Sequence, residues 1–417
     1  MRYIADLHIH SKYSRACSKD LDLPHINQWA KIKGIDIVGT GDFTHPYWLK
    51  HLKDNLVQDR PGLFKLKNDG SSVWFMLTTE LSCIYSQGDK VRRLHICIFV
   101  PNFDTVDRIN STLLKRGVNL SSDGRPIMGL HADELAKIVL DVNAKALVIP
   151  AHAWTPWFSV FGSYSGFDSL GDCFNEMKKY IYSIETGLSS DPPMNWRVSA
   201  LDKITLISNS DAHSPANLGR EANVFEIAQN DLSYDEIYRI IKEKDKKKFL
   251  YTIEFFPEEG KYHWDGHRAC DVNLPPAQTK IKKGICPVCK KDLTIGVLSR
   301  VEQLADRPQG FKPDAIGYKS LIPLPEIIAD ALGQGKLTKK VDAIYQDMIN
   351  KGGNEFKILL DLPDAELKKI TLPEIALGIK NVREGKVKII PGCDGKYGII
   401  EIFAEDQKIK SKQKSLF

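Results

Sequence analysis

Short apolar runs recur through the first half of the chain, and each ends in polar residues. Residues 1–10 read as a strand that finishes in IADLHIH. A helical stretch, PHINQWAKIK (24–33), follows, with proline near its start, where a missing N–H is tolerated. GIDIVGT (34–40) is the next buried strand. WFMLTTELS (74–82), LHICIFV (94–100), ALVIPAH (146–152), YSIETG (182–187) and ITLISNSDAH (204–213) repeat the pattern, with a helix expected near 131–143. This alternation predicts an α/β domain on a mostly parallel sheet or barrel. In such a barrel the chemistry gathers at the C-terminal strand ends.

The pattern changes near residue 255. Residues 256–296 are loop-like and studded with His and Cys, and from 297 the chain reads as helices broken by glycine and proline, such as LPEIIADAL and KKVDAIYQDMI. A length of 417 residues exceeds one ordinary core. The expected division is a barrel over 1–255, a small zinc-binding segment over 256–296 and a mainly helical domain over 297–417. The stretch IIPGCDGKYGIIEIF reads as a glycine-rich loop between two short strands.

Composition adds little until it is read by position. Hydrophobic residues make up 42% and the formal charge is +5, so an acidic partner is permitted rather than demanded. Lysine runs at 242–248, at 280–284 and in the tail KIKSKQK concentrate that charge in the second half. Of eight cysteines, Cys17, Cys83, Cys97 and Cys173 stand singly, which does not suit a secreted disulfide framework. No signal peptide is expected before the first motif, and no apolar run reaches the roughly 20 residues of a membrane span. A cytoplasmic, reducing setting is the expectation. The absence of a phosphate-cradling GxxxxGK[ST] loop argues against a nucleotide cofactor.

The polar strand ends carry the candidate chemistry. Residues i and i+2 of a strand share a face, so His8 and His10 can reach one metal ion. Asp6 lies deeper on that face and suits an acceptor that orients a ligating histidine. Asp42 and His45 follow the second strand, Glu80 the third, and His95 opens LHICIFV. His152 and Glu185 end later strands, and Asp211 and His213 repeat the i, i+2 spacing. Taken singly, each of these residues has an ordinary alternative as a cap, turn or surface residue. Together they exceed the three ligands of one catalytic zinc and suit two or three metals. Mixed imidazole and carboxylate ligands favour Zn²⁺ or Mn²⁺, with Mg²⁺ as the alternative.

The motifs DLHIHS, GTGDFTH, TTE and SNSDAH, with His95 and His152, resemble the PHP family of metal-dependent phosphoesterases. The resemblance implies a distorted (β/α)7 barrel with a trinuclear centre. It implies that His8, His10, Glu80 and Asp211 hold the first ion. Glu80 would bridge to a second ion on His95 and His152, and a third would use His213 and a ligand from the second motif. The chain departs from the family at that third site. Arg15 stands where the family has an early aspartate, and Phe43 where it has a histidine. His45 and Asp42 are the possible substitutes, and Asp191 is a candidate either for the lost carboxylate or for orienting the water.

In the second half, His267, Cys270, Cys286 and Cys289 follow the spacing H-x2-C-x15-C-x2-C of a closed structural zinc site, with His263 as an alternative ligand. The combination HWDGHRAC, CPVCKKDLTIGV and YKSLIPLPEII is similar to the narrower endonuclease Q family over nearly the whole chain. That resemblance implies a DNA repair endonuclease that nicks 5′ of deaminated bases (uracil, hypoxanthine, xanthine) and of abasic sites, leaving 3′-hydroxyl and 5′-phosphate ends. It makes His8, Glu80, Asp191 and Asp211 the catalytic candidates. The implied partner is damaged DNA with the lesion base flipped out, and a replication clamp is a further candidate. Trp154, Trp157, Phe158, Phe161 and Tyr164, in the loop 151–167, are candidates for stacking on a base or for covering the barrel mouth. Tyr318, Lys319, Lys396 and Tyr397 are candidates for backbone and base contacts, or for domain packing. The rival readings are a small-molecule phosphatase of the histidinol-phosphatase type and a catalytically inactive DNA-binding PHP protein.

Overall fold

A computed structural model of the chain describes residues 1–70 and 72–403. Seven strands curve into a distorted barrel: β1 (Arg2–Asp6), β2 (Ile37–Gly39), β3 (Trp74–Gln87), β4 (Lys90–Val100), β5 (Leu147–Pro150), β6 (Ser183–Glu185) and β7 (Thr205–Ile207). β1 and β2 pair in parallel, as do β2 and β3, and β6 and β7. β3 and β4 are antiparallel along their length, and β5 pairs antiparallel with β4. Single contacts close the remaining gaps. The Ala153 N–H donates to the Glu185 carbonyl at 2.9 Å, and the His10 N–H donates to the Ala212 carbonyl at 3.2 Å.

The sheet is therefore mixed, where the sequence pattern predicts a mostly parallel one. The reason is local. Gln87 pairs with Lys90, so only Gly88 and Asp89 turn the chain, and Gly88 adopts φ +60°. A two-residue turn returns β4 antiparallel, whereas a parallel neighbour needs a longer crossover. β8 (Ala222–Glu226) and β9 (Phe249–Glu254) extend the sheet beyond β1 with antiparallel pairing.

The first helix, Leu23–Lys33, shows why these segments fold as they do. The Asp22 side chain accepts the His25 N–H at the N-terminus, and Gly34 ends the helix at φ +85°. Leu23, Ile26 and Ala30 recur at helical spacing and are fully buried in the core. The predicted helix near 131–143 is Ala132–Val142.

The C-terminal region is mainly helical: Leu324–Leu332, Lys339–Gly352, Asp364–Ile370 and Pro373–Arg383. It does not hang apart from the barrel, because β10 (Gly317–Ser320) pairs in parallel with β9. Lys33 of the first barrel helix and Glu355 form a buried ion pair at 2.7 Å. The zinc-type segment contains a hairpin of Asp265–His267 with Val272–Leu274 and a cluster of only Val272, Cys286 and Leu293. IIPGCDGKYGIIEIF forms a hairpin of Lys388–Ile390 with Ile399–Glu401 that rests on this segment, where Trp264 N–H donates to the Gly392 carbonyl at 2.9 Å. Among the described residues no helix is long and apolar enough to cross a membrane. The tail KIKSKQK lies outside the described residues.

Candidate metal centre

The strand ends converge at one mouth of the barrel. His8, His10, Glu80 and Asp211 each place a ligand atom within 4.8 Å of the others, and Glu80, His95 and His152 form an adjoining group. Glu80 belongs to both. Its Oε2 lies 3.3 Å from His10 Nε2 and 3.6 Å from His8 Nε2, while Oε1 lies 2.8 Å from His95 Nδ1 and 3.1 Å from His152 Nε2. Asp211 Oδ1 stands 3.1 Å from His10 Nε2 and 3.7 Å from His8 Nε2.

The ring nitrogens are sorted by their partners. His8 Nδ1 faces both Glu185 oxygens at 3.0 Å, and His10 Nδ1 faces Asp42 Oδ1 at 3.0 Å. Each carboxylate fixes the proton on Nδ1 and aims the Nε2 lone pair at the cluster. Nε2 of both histidines and Oδ1 of Asp211 are buried without a hydrogen-bond partner. Orphaned buried atoms converging on one point are costly unless a cation satisfies them. The donor set therefore fits a divalent ion at each group, and His8, His10, Glu80, Asp211, His95 and His152 are the residues that would hold them.

Backbone strain accompanies this convergence. Asp42, His152 and Asp211 take positive φ of 48°, 31° and 47°. Non-glycine residues there cost on the order of 1–3 kcal/mol each and persist where their surroundings hold them. Around Asp42, Oδ2 accepts from Ser11 N at 2.6 Å, Ser11 Oγ at 2.7 Å and Ser14 Oγ at 2.8 Å. The His152 N–H donates to Glu185 at 2.9 Å, and its Nδ1 meets Thr155 Oγ1 at 3.1 Å.

The electrostatics follow from burial and mutual contact. Burial opposes charge on Glu80, yet His95, Arg125 and His8 hold its carboxyl well below the usual range. Asp211 is likewise depressed, with His10 and His8 overcoming burial. His8 and His10 are raised well above the ordinary histidine value, because nearby acidic groups outweigh burial. His95 is pushed down to about 4 by burial, against the pull of Glu80. Metal-binding potential and this charge pairing have the same source: carboxylates held against buried imidazoles.

Several sequence candidates sit elsewhere than expected. Asp42 stands one step behind the ligand atoms, because its oxygens are occupied by His10 and by backbone and hydroxyl donors, while Glu185 lies behind the His8 ring and forms a further donor group with His8 and Cys97. Asp6 does not orient a histidine; Ser210 N–H and Gly219 N–H take its two oxygens. His45 stacks on Tyr13 at 4.4 Å. His213 packs 4.7 Å from the His10 ring and donates from Nδ1 to the Asp211 carbonyl at 2.8 Å. Among the described residues neither His45 nor His213 joins a group of three donor side chains. Asp191 caps the turn Pro192–Asn195 by accepting the Met194 N–H, and burial pushes its carboxyl up to about 7.

Two of the aromatic candidates are core residues. Trp154 is fully buried with its Nε1 donating to Asn195 Oδ1 at 2.7 Å, and Phe161 packs on it. Neither face is free to meet a base. Trp157 and Tyr164 instead stack in parallel at 4.6 Å, and Tyr262 meets Trp157 edge-on at 5.3 Å. Phe158 lies 4.7 Å from His95. Tyr318 packs its edge on Trp196, Lys319 lies over Tyr251, Lys396 pairs with Asp271, and the exposed Tyr397 ring carries Lys261. Away from the barrel, His267, Cys270, Cys286 and Cys289 gather their donor atoms within 4.8 Å, and His263 stays outside that group.

Comparison with known proteins places this geometry. The chain superposes on the crystal structure of the lesion-specific endonuclease PfuEndoQ from Pyrococcus furiosus with a TM-score of 0.86 and 34% identity, covering 99% of this chain and 98% of that one. The chain belongs to the endonuclease Q family. A structure of endonuclease Q with a 27-mer duplex carrying an abasic lesion at its active site matches with a TM-score of 0.85, 34% identity and complete coverage of both chains. The chain is also similar to two uncharacterised proteins. YqxK of Bacillus subtilis is 29% identical over 412 residues, covering 95% of this chain and 98% of its own length. MJ0043 of Methanocaldococcus jannaschii is 36% identical over 265 residues, which are 62% of this chain but only 32% of MJ0043. The chain thus spans about a third of that relative. The family model for the MJ0043 C-terminal domain matches residues 323–386.

Sequence reasoning missed Arg125, whose Nη1 donates to Glu80 Oε2 at 2.9 Å, and Cys97, which is buried beside His8 and Glu185. Arg125 lies in no metal-ligand spacing, whereas Cys97 stands two residues after His95, the i, i+2 spacing of a shared strand face. Cys97 falls on β4 opposite Glu80.

Proposed function

We propose that the chain is a metal-dependent endonuclease that cuts DNA at damaged nucleotides. The observation that carries this is the pair of His/carboxylate groups sharing Glu80, in a chain that matches endonuclease Q from end to end. The finer reading is hydrolysis of the phosphodiester 5′ of uracil, hypoxanthine, xanthine or an abasic site, leaving 3′-hydroxyl and 5′-phosphate.

Divalent metals held by His8, His10, Glu80 and Asp211 and by Glu80, His95 and His152 would supply an activated water and neutralise charge at phosphorus; Zn²⁺ or Mn²⁺ would suit these ligands. The chain's own residues do the rest. Asp42 and Glu185 hold the His10 and His8 rings in one tautomer, and Thr155 steadies His152. Asp191, with its carboxyl near 7, is suited to carry a proton at neutral pH. Structural zinc on His267, Cys270, Cys286 and Cys289 would hold the segment 256–296 between the barrel of 1–255 and the helical region from 297. The exposed Tyr164, Tyr318 and Tyr397 are the candidate aromatic faces for DNA, with the lesion nucleotide flipped toward the barrel mouth. A clamp partner and a cytoplasmic setting belong to the same reading.

The test is to incubate the metal-loaded protein with a uracil-containing duplex and, separately, with a phosphomonoester. A nick 5′ of the lesion is expected, with His8→Ala abolishing it while duplex binding persists. Turnover of the monoester alone would make the chain a small-molecule phosphatase. The two barrel groups that share Glu80, together with the group of His267, Cys270, Cys286 and Cys289, predict at least three metals per chain, and a count of one defeats the multinuclear reading.

A further inference from the structure

Among the described residues, the position that the PHP resemblance implies for a third ion offers no open set of donors. Arg15, at the position of the family's aspartate, turns out to solvent with its side chain 85% exposed. Phe43, at the position of the family's histidine, is fully buried in the core. Asp42 has both oxygens committed, to His10 on one side and to Ser11 and Ser14 on the other. The backbone of Gly124 closes over the same spot: a Cβ there would lie 2.3 Å from both Asp42 Oδ2 and Ser14 Oγ. His45 is stacked away on Tyr13. A cation would have to displace a packed backbone segment to bind there.

That segment carries a cation of its own. Gly124 N–H donates to the Tyr13 carbonyl at 3.0 Å, and Ser82 N–H donates to the Pro126 carbonyl at 3.1 Å. Asp123 accepts the Arg125 N–H at 3.0 Å. These anchors hold Arg125 across β3 from Glu80, where Nη1 donates to Oε2 at 2.9 Å. Oε2 is the oxygen that faces His8 and His10, so the guanidinium borders the metal groups. Glu80 is its side-chain partner among the described residues, and the side chain remains 23% exposed. A guanidinium has five donors in a planar fork that matches phosphate oxygens, which leaves several free for a ligand at the mouth.

We infer that Arg125 replaces the third ion: it clamps a non-bridging oxygen of the scissile phosphate beside the two metal groups. This rests on the nuclease reading above. Asp123 and Gly124 act as positioning residues, fixing the loop so that the fork meets the phosphate without reorganising.

The experiment uses the metal-loaded full chain and Arg125→Ala and Arg125→Lys variants. Metal content, binding to an abasic duplex and single-turnover cleavage are measured on each. Arg125→Ala is expected to keep the parent metal count and to bind duplex within about threefold, since one contact among many is lost. Its cleavage should slow on the order of 100-fold, as when one preorganised donor is removed. Added guanidinium should recover part of the rate in Arg125→Ala and none in the parent. Arg125→Lys should fall between, keeping charge but losing the fork. Three ions at the barrel of the parent would overturn the inference, as would a parent-like rate in Arg125→Ala. A slowed variant that has also lost a barrel metal would make Arg125 a support of the metal site instead. A parent that holds its metals but cuts no lesion duplex would sink the nuclease reading itself, a result distinct from these.

Discussion

Glu185 governs His8 from behind. Both of its oxygens lie 3.0 Å from Nδ1, and it also accepts from the His152 N–H and from Asn209 Nδ2. One carboxylate therefore steadies a residue of each metal group. Glu185→Gln keeps the shape but offers the ring a neutral acceptor, and we expect about 10–100-fold weaker metal retention, read by titration with a chelator. Unchanged retention would mean that the ring needs no charged partner. Glu221 and Glu254 form a buried acid pair. Burial raises both carboxyls, and the charge of Glu254 raises Glu221 further. The folded chain thus keeps protons that the unfolded chain has released, so this pair favours folding at low pH and loses that contribution as pH rises through the raised values. Glu254→Gln still accepts from Thr186 and Ser208, which lie 3.0 and 3.1 Å from Oε2, and does not titrate. Its melting temperature relative to the parent should rise between about pH 5 and pH 8. A gap that stays constant or shrinks would contradict the raised carboxyls.

The zinc-type segment is an element that its own residues cannot hold together. Its private cluster is Val272, Cys286 and Leu293, far short of a core. Cys289 Sγ lies 3.8 Å from His267 Nδ1, joining the two ends of the segment. Metal binding there is folding free energy. Cys289→Ser should release one zinc per chain and open 256–296 to limited proteolysis while the barrel stays resistant. Retained zinc and an unchanged digestion pattern would show that the segment stands without the metal. The strand ends were readable in the sequence because i, i+2 spacing survives in any register. The loop 151–167 was not. Its six aromatic residues look alike in sequence, but only folding separates Trp154 and Phe161, which fill the core, from Trp157 and Tyr164, which stack at the surface.

Across the whole molecule, the C-terminal region is tied to the barrel by a strand and by buried charge. Glu355 accepts from Lys33 at 2.7 Å, from Tyr345 Oη at 2.7 Å and from Leu324 N–H at 3.0 Å. Lys33 and Glu355 side chains are 4% and 5% exposed, so removing one leaves the other charged and buried. Lys33→Met should cost about 3–5 kcal/mol, measured by denaturant unfolding. Because β10 pairs with β9, barrel and C-terminal probes should lose signal together. A second, separate transition for the helices would show that the strand pairing does not couple them.

The sequence by itself determined which residue types would meet and roughly where: His8 with His10 at the first strand end, Asp211 at a later one, and a His/Cys spacing in the second half. Strand periodicity and ligand spacing are local, so they can be read without a fold. Tertiary structure alone decided which acids face the metal groups and which stand behind them. It also set the antiparallel return of β4 that puts Cys97 opposite Glu80, and the packing of Gly124 over Asp42 that brings Arg125 to the site. Those outcomes depend on strand register and on close backbone approach between distant segments, and neither leaves a periodic mark in the chain.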